Sequence, residues 1–273
     1  MGDFFGFYNF MRPGHGEVGD EHYHPFVRFW RRYSRNFIKL INVNLVYALV
    51  TLPVYVWLVS QINVITAQVD GKTTTLLGTI LLYYAMQIPT PVVIGLLVVS
   101  ILLLGPSTAA LTYFAMDCAW DRPGLIWSRF WSAWKTNWKQ ALPVGFMDFL
   151  VLLATLYYFV DGEAIFGGFS ILIKIVWILF ALIYALIRVY IYSVMVTVDL
   201  PLMALAKNSF ILAILKPLRS VPVIVIAAVL CFLCSVADII LVPCFLYSFV
   251  AFSAAFLTQP VIEEYLLDPV DND

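Results

Sequence analysis

The chain has 273 residues, of which 62% are hydrophobic and 12% are charged, whereas soluble domains carry roughly 25% charged residues. A soluble fold of this size could not hold so much apolar surface without large exposed patches, which excludes a soluble enzyme domain and a disordered chain. The formal net charge of −1 provides no basic field for nucleic acid. We therefore expect an all-α protein that crosses the lipid bilayer several times.

Six segments are long and apolar enough to cross a hydrocarbon core of ~30 Å as helices. They cover about residues 41–60, 92–117, 141–160, 170–198, 221–237 and 239–258. The last two divide one apolar tract that is too long for a single span, so a tight reversal is expected near Ala237 and Asp238. A seventh span over 76–88 is the alternative, although that segment is short and ends next to Pro89.

The basic residues predict the orientation of these spans. Most lysines and arginines lie in the N-terminal segment and in the connections after the second and fourth spans. Such residues favour the cytoplasmic side, so both termini are expected there, and a seventh span would place one basic connection outside. The chain then divides into a cytoplasmic N-terminal segment (1–40) with an amphipathic basic and aromatic helix, a six-span membrane domain (41–259) and an acidic cytoplasmic tail (260–273).

Three segments outside the spans, 25–40, 120–140 and 200–217, are predicted to stay on the cytoplasmic side without crossing. In the second of them the spacing of four tryptophans places them in one stripe of a helix, with lysines beside it. These residues are Trp127, Trp131, Trp134, Trp138, Lys135 and Lys139. The stripe is either an interfacial anchor or a docking surface for a partner protein.

Two motifs resemble a known family. Residues 104–113, LGPSTAALTY, resemble the Gly-Pro-Ala/Ser-x-Ala-x-Leu-x-Tyr segment of the YesL-like bacterial membrane family of unknown function. Residues 130–141, FWSAWKTNWKQA, are similar to a second element of that family, Phe-(x)n-Lys-x-Asn-Trp-Lys-Gln. In the N-terminal part, Arg12-Pro13-Gly14-x-Gly16 and Asn44-Leu45-x-Tyr47 resemble its longer, clostridial-type members. The resemblance extends over nearly the whole chain, and only the middle motif is specific.

The resemblance implies a multi-pass protein of the bacterial plasma membrane. The family is usually discussed as an accessory to carbohydrate importers of the ABC class, and no activity is established for it. The first functional hypothesis is therefore a non-enzymatic accessory subunit, with importer permease and ATPase subunits as partners besides the lipid bilayer. The alternative is a stand-alone transporter of small solutes.

The two unambiguous intramembrane charges are Asp148 in the third predicted span and Arg188 in the fourth, whereas other charged residues lie near the ends of spans. At 1.5 Å of rise per residue, each lies roughly 12–15 Å from the cytoplasmic end of its span, so the two side chains are at matching depths. A lone charge there costs several kcal/mol, and we predict that the two residues pair. The pair is either a structural ion pair or part of a substrate or proton site.

A glycine and a proline interrupt the second span near its middle, in the segment Gly105, Pro106, Ser107 and Thr108. Proline removes a backbone donor and clashes with the preceding turn. The segment predicts either a broken helix, whose second half presents its N-terminus to a substrate, or a kinked helix with a close crossing at Gly105.

The sequence offers little for catalysis. Three histidines lie in a polar, glycine-rich stretch, and a solvated segment explains them better than a metal site: His15, His22 and His24. Two cysteines, Cys231 and Cys234, lie in an apolar stretch, and packing explains them better than a metal or redox site. Phosphate-binding loops, dinucleotide fingerprints and hydrolase motifs are missing from the sequence. We expect no enzyme activity, no cofactor, no metal and no nucleic-acid partner.

Overall fold

The computed structural model describes residues 23–54, 90–120, 125–237 and 243–267, and throughout these ranges the chain forms helices and short turns without a β-strand. The all-α fold class is thus confirmed for these residues. The helices have the bounds Pro25–Arg35 (α1), Phe37–Val50 (α2), Thr90–Ala119 (α3), Ile126–Phe166 (α4), Ser170–Thr197 (α5), Leu202–Leu215 (α6), Pro217–Ala237 (α7) and Pro243–Ile262 (α8). A 3₁₀ turn, Gly167–Phe169, precedes α5, and a π-helical turn, Glu263–Leu267, follows α8.

Three helices of the described residues are long and apolar enough to cross a membrane, namely Ile94–Ala119, Ile171–Thr197 and Leu246–Leu267. They correspond to the second, fourth and sixth predicted spans. The pair α6 and α7, bent by 92° at its break, is a fourth candidate, and α2 is a shorter apolar helix. These lengths indicate a membrane protein, while the count of six spans stays a prediction. The segments 76–88 and 55–60, and Asp238 of the expected reversal, lie outside the described residues.

The tryptophan-rich segment 120–140 is predicted to lie on the cytoplasmic side without crossing, and that placement stays a prediction. In the structure its residues from Ile126 onward and the third predicted span belong to one helix, α4, with Pro143 inside it. The sequence changes from polar to apolar near Ala141, and α4 continues through Pro143 and Gly145, which follow this change. A change of composition alters the surroundings of a helix and does not by itself end it.

The first boundary is also different from the prediction. We expected one amphipathic helix over 25–40 followed by a span, whereas α1 ends at Arg35 and α2 begins at Phe37. Asn36 lies between them and is buried. Its side-chain nitrogen donates hydrogen bonds to the carbonyl oxygens of Arg32 and Cys118. The turn is therefore fixed by a contact with the end of α3.

The N-terminal helix closes the end of α3. The last carbonyl groups of a helix have no partner within the helix and favour a nearby cation. Arg32 Nη1 donates to the carbonyl oxygen of Ala119 at 2.8 Å, and its guanidinium lies over the ring of Trp120. One turn earlier in α1, Phe29 contacts Phe249, Phe252 and Phe256 of α8 at ring-centre distances of 5.3–5.9 Å. Through these contacts α1 holds together the ends of α3 and α8.

Two further predicted boundaries shift. The segment 200–217, predicted to stay at the surface, is a helix only to Leu215, and Pro217 already starts α7, four residues before the predicted span. At the other end, α8 continues through Pro260 to Ile262 and then into the π-helical turn, so the expected tail from residue 260 begins as helix. There Glu264 lies 3.6 Å from Lys216, which ties this turn to the junction of α6 and α7.

Helices α3 and α4 form the most extensive helix pair among the described residues, and they cross at two glycines. A Cβ atom added to Gly105 would lie 2.0 Å from the carbonyl oxygen of Ala141 and 3.0 Å from the Cα of Gly145. One added to Gly145 would lie 2.4 Å from the backbone of Gly105. Small residues at such crossings let membrane helices approach until their backbones touch. This contact fixes the position of α4 against α3.

Candidate functional site: a polar network in a cavity between six helices

A cavity of about 520 Å³ lies between α2, α3, α4, α5, α7 and α8. Its volume falls within the roughly 300–1,000 Å³ of ligand pockets. Aliphatic side chains, such as Leu104, Leu152 and Val250, form much of its wall. The polar lining residues cluster around Asp148 and Arg188, so the two charges expected inside the membrane belong to the same cavity.

Asp148 accepts hydrogen bonds from three side chains of α5. Its Oδ1 atom accepts from Arg188 Nε at 2.8 Å and from the hydroxyl of Tyr184 at 2.6 Å. Its Oδ2 atom accepts from the hydroxyl of Tyr192 at 2.7 Å. Only 5% of the Asp148 side chain is exposed. Hydrogen bonds to an ionised group are about twice as strong as neutral ones, so the network stabilises a buried carboxylate and connects α4 to α5.

Arg188 is placed differently, because 42% of its side-chain area remains exposed although its partner is buried. Its guanidinium lies over the ring of Tyr192 at 5.4 Å. A guanidinium carries five N–H donors, and Nε uses one of them. Among the described residues no acceptor takes a hydrogen bond from its two terminal NH₂ groups. Arg188 therefore both neutralises Asp148 and offers donors in the cavity.

The hydroxyl groups around the pair are already engaged. Thr108 and Thr112 on α3 donate to the carbonyl oxygens four residues earlier, at 2.8 Å each. Thr155 on α4 and Ser193 on α5 do the same. The hydroxyl of Tyr47 lies 3.3 Å from Thr108 Oγ1, which already donates to Leu104, so Tyr47 is the donor of that pair. These side chains leave lone pairs rather than protons for a ligand.

The glycine-proline segment does not break α3. The helix runs continuously from Thr90 to Ala119 with Pro106 inside it, so the reading as two half-helices is wrong and the close crossing at Gly105 is what the structure contains. Thr108 lines the cavity. Ser107 is buried, and its hydroxyl has no hydrogen-bond partner in the part of the chain that the structure describes. No helix N-terminus is presented to the cavity at this point.

The tryptophan stripe lies away from the cavity, on the first half of α4. Trp127 and Trp138 are 59% and 44% exposed, whereas Trp131 and Trp134 are half-buried against the core. The rings of Trp127 and Trp131 stack at a centre distance of 6.2 Å. Lys135 and Lys139 are exposed on the same half of the helix. The stripe is thus divided into two packing residues and two exposed ones.

A second ion pair, which the sequence did not lead us to predict, lies close to the stripe. Arg129 Nη1 donates to Asp117 Oδ2 at 2.8 Å and to the hydroxyl of Tyr113 at 3.2 Å. The negative charge of Asp117 raises the pKa of Arg129. The pair joins the end of α3 to the start of α4, and residues 121–124 between these helices lie outside the described ranges.

The tyrosines of the network were missed for a reason that is visible in the sequence. Tyr184, Arg188 and Tyr192 are spaced four residues apart and lie on one face of α5. This spacing could have indicated a polar face, but tyrosine is common in membrane helices as a packing or interfacial residue. Gly145 was missed because nothing in the sequence of α4 shows which of its residues meets Gly105.

Comparison with known proteins gives one finding. A family model described as "Protein of unknown function, DUF624" matches residues 71–159, less than half of the chain. DUF624 is the YesL-like family that the motifs resemble, and the clostridial-type subgroup stays a prediction. The match includes Gly105, Asp148 and the tryptophan stripe but ends before Arg188. No curated protein and no solved structure matches the chain.

Proposed function

We propose that this protein is a membrane transporter that binds a small solute in the cavity between six of its helices. The observation that carries the proposal is Arg188, which lines this cavity with 42% of its side-chain area exposed and whose terminal donors have no acceptor among the described residues. An ion pair that only fixed helix register would be expected to have both partners buried. Here Asp148 is buried and Arg188 faces a cavity large enough for a ligand.

The proposed topology has six spans with both termini in the cytoplasm of a bacterial cell, in its plasma membrane. Several contacts support the placement of these helix ends on one side of the protein. Arg32 bonds to the end of α3, and Phe29 packs on α8. The hydroxyl of Tyr190, in the last third of α5, donates to the carbonyl oxygen of Lys216 between α6 and α7. In this arrangement, the side that carries most basic residues is where α2, α4 and α7 begin. The same side is where α3, α5 and α8 end. The positive-inside rule makes that side cytoplasmic.

Transport can be tested with the purified chain in liposomes. Three sets of vesicles are loaded with an unlabelled carboxylate, sugar or amino acid, and the same solute is added outside in labelled form. For one of these three classes we expect the vesicles to accumulate the label by counterflow. Ala185 lines the cavity, so Ala185→Phe should fill it and abolish the uptake. Ala206→Phe adds the same ring on an exposed face of α6 and should leave uptake unchanged. Uptake no higher than in protein-free vesicles for all three classes would contradict the proposal.

A second candidate function is the accessory subunit of a carbohydrate importer of the ABC class. The observation in its favour is the exposure of Trp127 and Trp138 beside Lys135 and Lys139, because exposed tryptophans flanked by cations suit a protein interface. This surface lies at the proposed cytoplasmic side, where an importer ATPase would be found.

The test of the accessory function is purification in mild detergent followed by mass spectrometry of what co-purifies. Permease and ATPase subunits are expected with the unchanged chain, and Trp127→Ser combined with Trp138→Ser should reduce their amount at least several-fold. Phe169→Ser removes an exposed aromatic ring from the 3₁₀ turn that follows α4 and serves as the control. Recovery of the same subunits with both variants would count against this surface, and counterflow by the isolated chain would argue against an obligatory accessory role.

A further inference from the structure

We propose that the cavity binds an amphipathic monocarboxylate, whose carboxylate contacts Arg188 and whose apolar body lies along the aliphatic wall. This inference rests on the proposed function, because it names the class of solute for the same cavity. Three observations support it: the hydrogen-bond donors that are still unused in the cavity, the charges of its lining residues, and the aliphatic side chains that form the rest of its wall.

The remaining donors point to an acceptor-rich head group. The hydroxyl protons of Thr108, Thr112 and Ser193 go to backbone carbonyl groups, and those of Tyr184 and Tyr192 go to Asp148. The terminal NH₂ groups of Arg188 are thus the strong donors left among these lining residues. A guanidinium presents its N–H groups in a planar fork that matches the two oxygens of a carboxylate.

The charges limit the ligand to a single negative charge. Arg188 is the sole cation and Asp148 the sole anion among the described lining residues, so the cavity is neutral as a whole. Asp148 occupies the Nε side of the guanidinium, and the terminal NH₂ groups remain for a second carboxylate. A doubly charged phosphate would meet one cation that Asp148 already shares, and doubly charged ligands are therefore disfavoured.

The wall argues against a sugar. Each of the six helices or the residues next to it contributes aliphatic lining residues, including Val54, Leu111, Val151, Val189, Val223 and Leu246. A sugar carries hydroxyl groups around its whole ring, and hydroxyls buried against such a wall would lose their hydrogen bonds at a cost of about 1–3 kcal/mol each. A hydrocarbon chain or an aromatic ring gains free energy from the same surface.

The test is equilibrium binding of radiolabelled benzoate to the full chain in nanodiscs of phosphatidylcholine, with empty nanodiscs as the baseline. Saturable binding is expected, and benzamide, which keeps the ring and loses the charge, should compete at least about ten-fold more weakly. Maltose should not compete. Oleate that displaces benzoate at lower concentration would identify the bilayer as the source of the carboxylate, and weaker displacement would identify a water-soluble one.

Variants separate the role of Arg188 from a loss of folding. Arg188→Met should weaken benzoate binding at least about ten-fold, and so should Asp148→Asn combined with Arg188→Met, in which neither charge is left unpaired. Lys207→Met removes an exposed cation from α6 by the same chemical change and should bind like the unchanged chain. Benzoate binding that survives in the double variant overturns the inference, as does failure of benzoate to bind. If maltose binds and benzoate does not, the monocarboxylate inference is wrong and the proposed transport function is still supported. If no solute shows counterflow, both the inference and the proposed transport function are wrong.

Discussion

Replacing Gly105 with alanine is expected to lower the melting temperature of the purified protein by an amount on the order of 5–10 °C, with a matching loss of folded yield. The added methyl group would lie 2.0 Å from the carbonyl oxygen of Ala141, far inside van der Waals contact. Both partners are backbone, so no side chain can turn away and α3 and α4 must separate. Overpacking of this kind costs about 1–3 kcal/mol, and the largest helix contact of the described structure is the one disturbed.

The matched control is Gly95→Ala in the same helix. Nothing lies within 4 Å of a Cβ atom added there, so the substitution should be neutral or slightly stabilising through the higher helix propensity of alanine. Gly145→Ala should behave like Gly105→Ala, because its Cβ would lie 2.4 Å from the backbone of Gly105. Thermal unfolding monitored in one detergent for all three variants makes the comparison. Equal melting temperatures for Gly95→Ala and Gly105→Ala would show that the two helices do not touch at Gly105.

The helix crossing and the cavity are parts of one arrangement. Leu104 and Thr108 line the cavity on either side of Gly105, and Asp148 lies three residues after Gly145 on the partner helix. The two glycines therefore fix the distance between the α3 wall of the cavity and its carboxylate. A proline in the middle of α3 is compatible with this role, because it leaves the helix continuous while the glycine before it provides the contact.

The parts of the fold that depend on local composition were accessible from the sequence. Long apolar segments predicted α3, α5 and α8 because a bilayer sets a minimum length for a spanning helix. Depth arithmetic placed Asp148 and Arg188 at similar levels, and their side chains are 2.8 Å apart in the structure. Both inferences need only the rise of a helix and the cost of a charge in lipid.

The rest depends on how helices meet, which the sequence does not encode locally. The end of α1 at Arg35 is determined by Asn36 reaching the end of α3, a contact between residues 82 positions apart. The cavity exists only once six helices are placed side by side. The division of the tryptophan stripe into exposed and packed residues likewise follows from the neighbours of α4 rather than from the spacing of its residues.

Arg188→Met is expected to be the more damaging of the two single substitutions at the ion pair. It leaves Asp148 as a carboxylate that is only 5% exposed and held by two tyrosine hydroxyls alone. Removing one partner of a buried pair costs about 3–5 kcal/mol, which corresponds to a fall on the order of 10 °C in melting temperature. Asp148→Asn should cost less, because the amide oxygen still accepts from Tyr184 and 42% of the Arg188 side chain is exposed.

Combining Asp148→Asn with Arg188→Met should restore part of the stability lost in Arg188→Met, because neither charge is then left alone in a low-dielectric interior. The melting temperatures of the unchanged chain, both single variants and the double variant form a thermodynamic cycle, and we expect a coupling of at least about 1 kcal/mol. Tyr192→Phe provides the graded control, since it removes one hydrogen bond to Asp148 and keeps the ion pair. Similar melting temperatures and folded yields for all four proteins would mean that the pair contributes nothing to holding α4 and α5 together. The exposure of Arg188 in the cavity would then have to be explained by ligand binding alone.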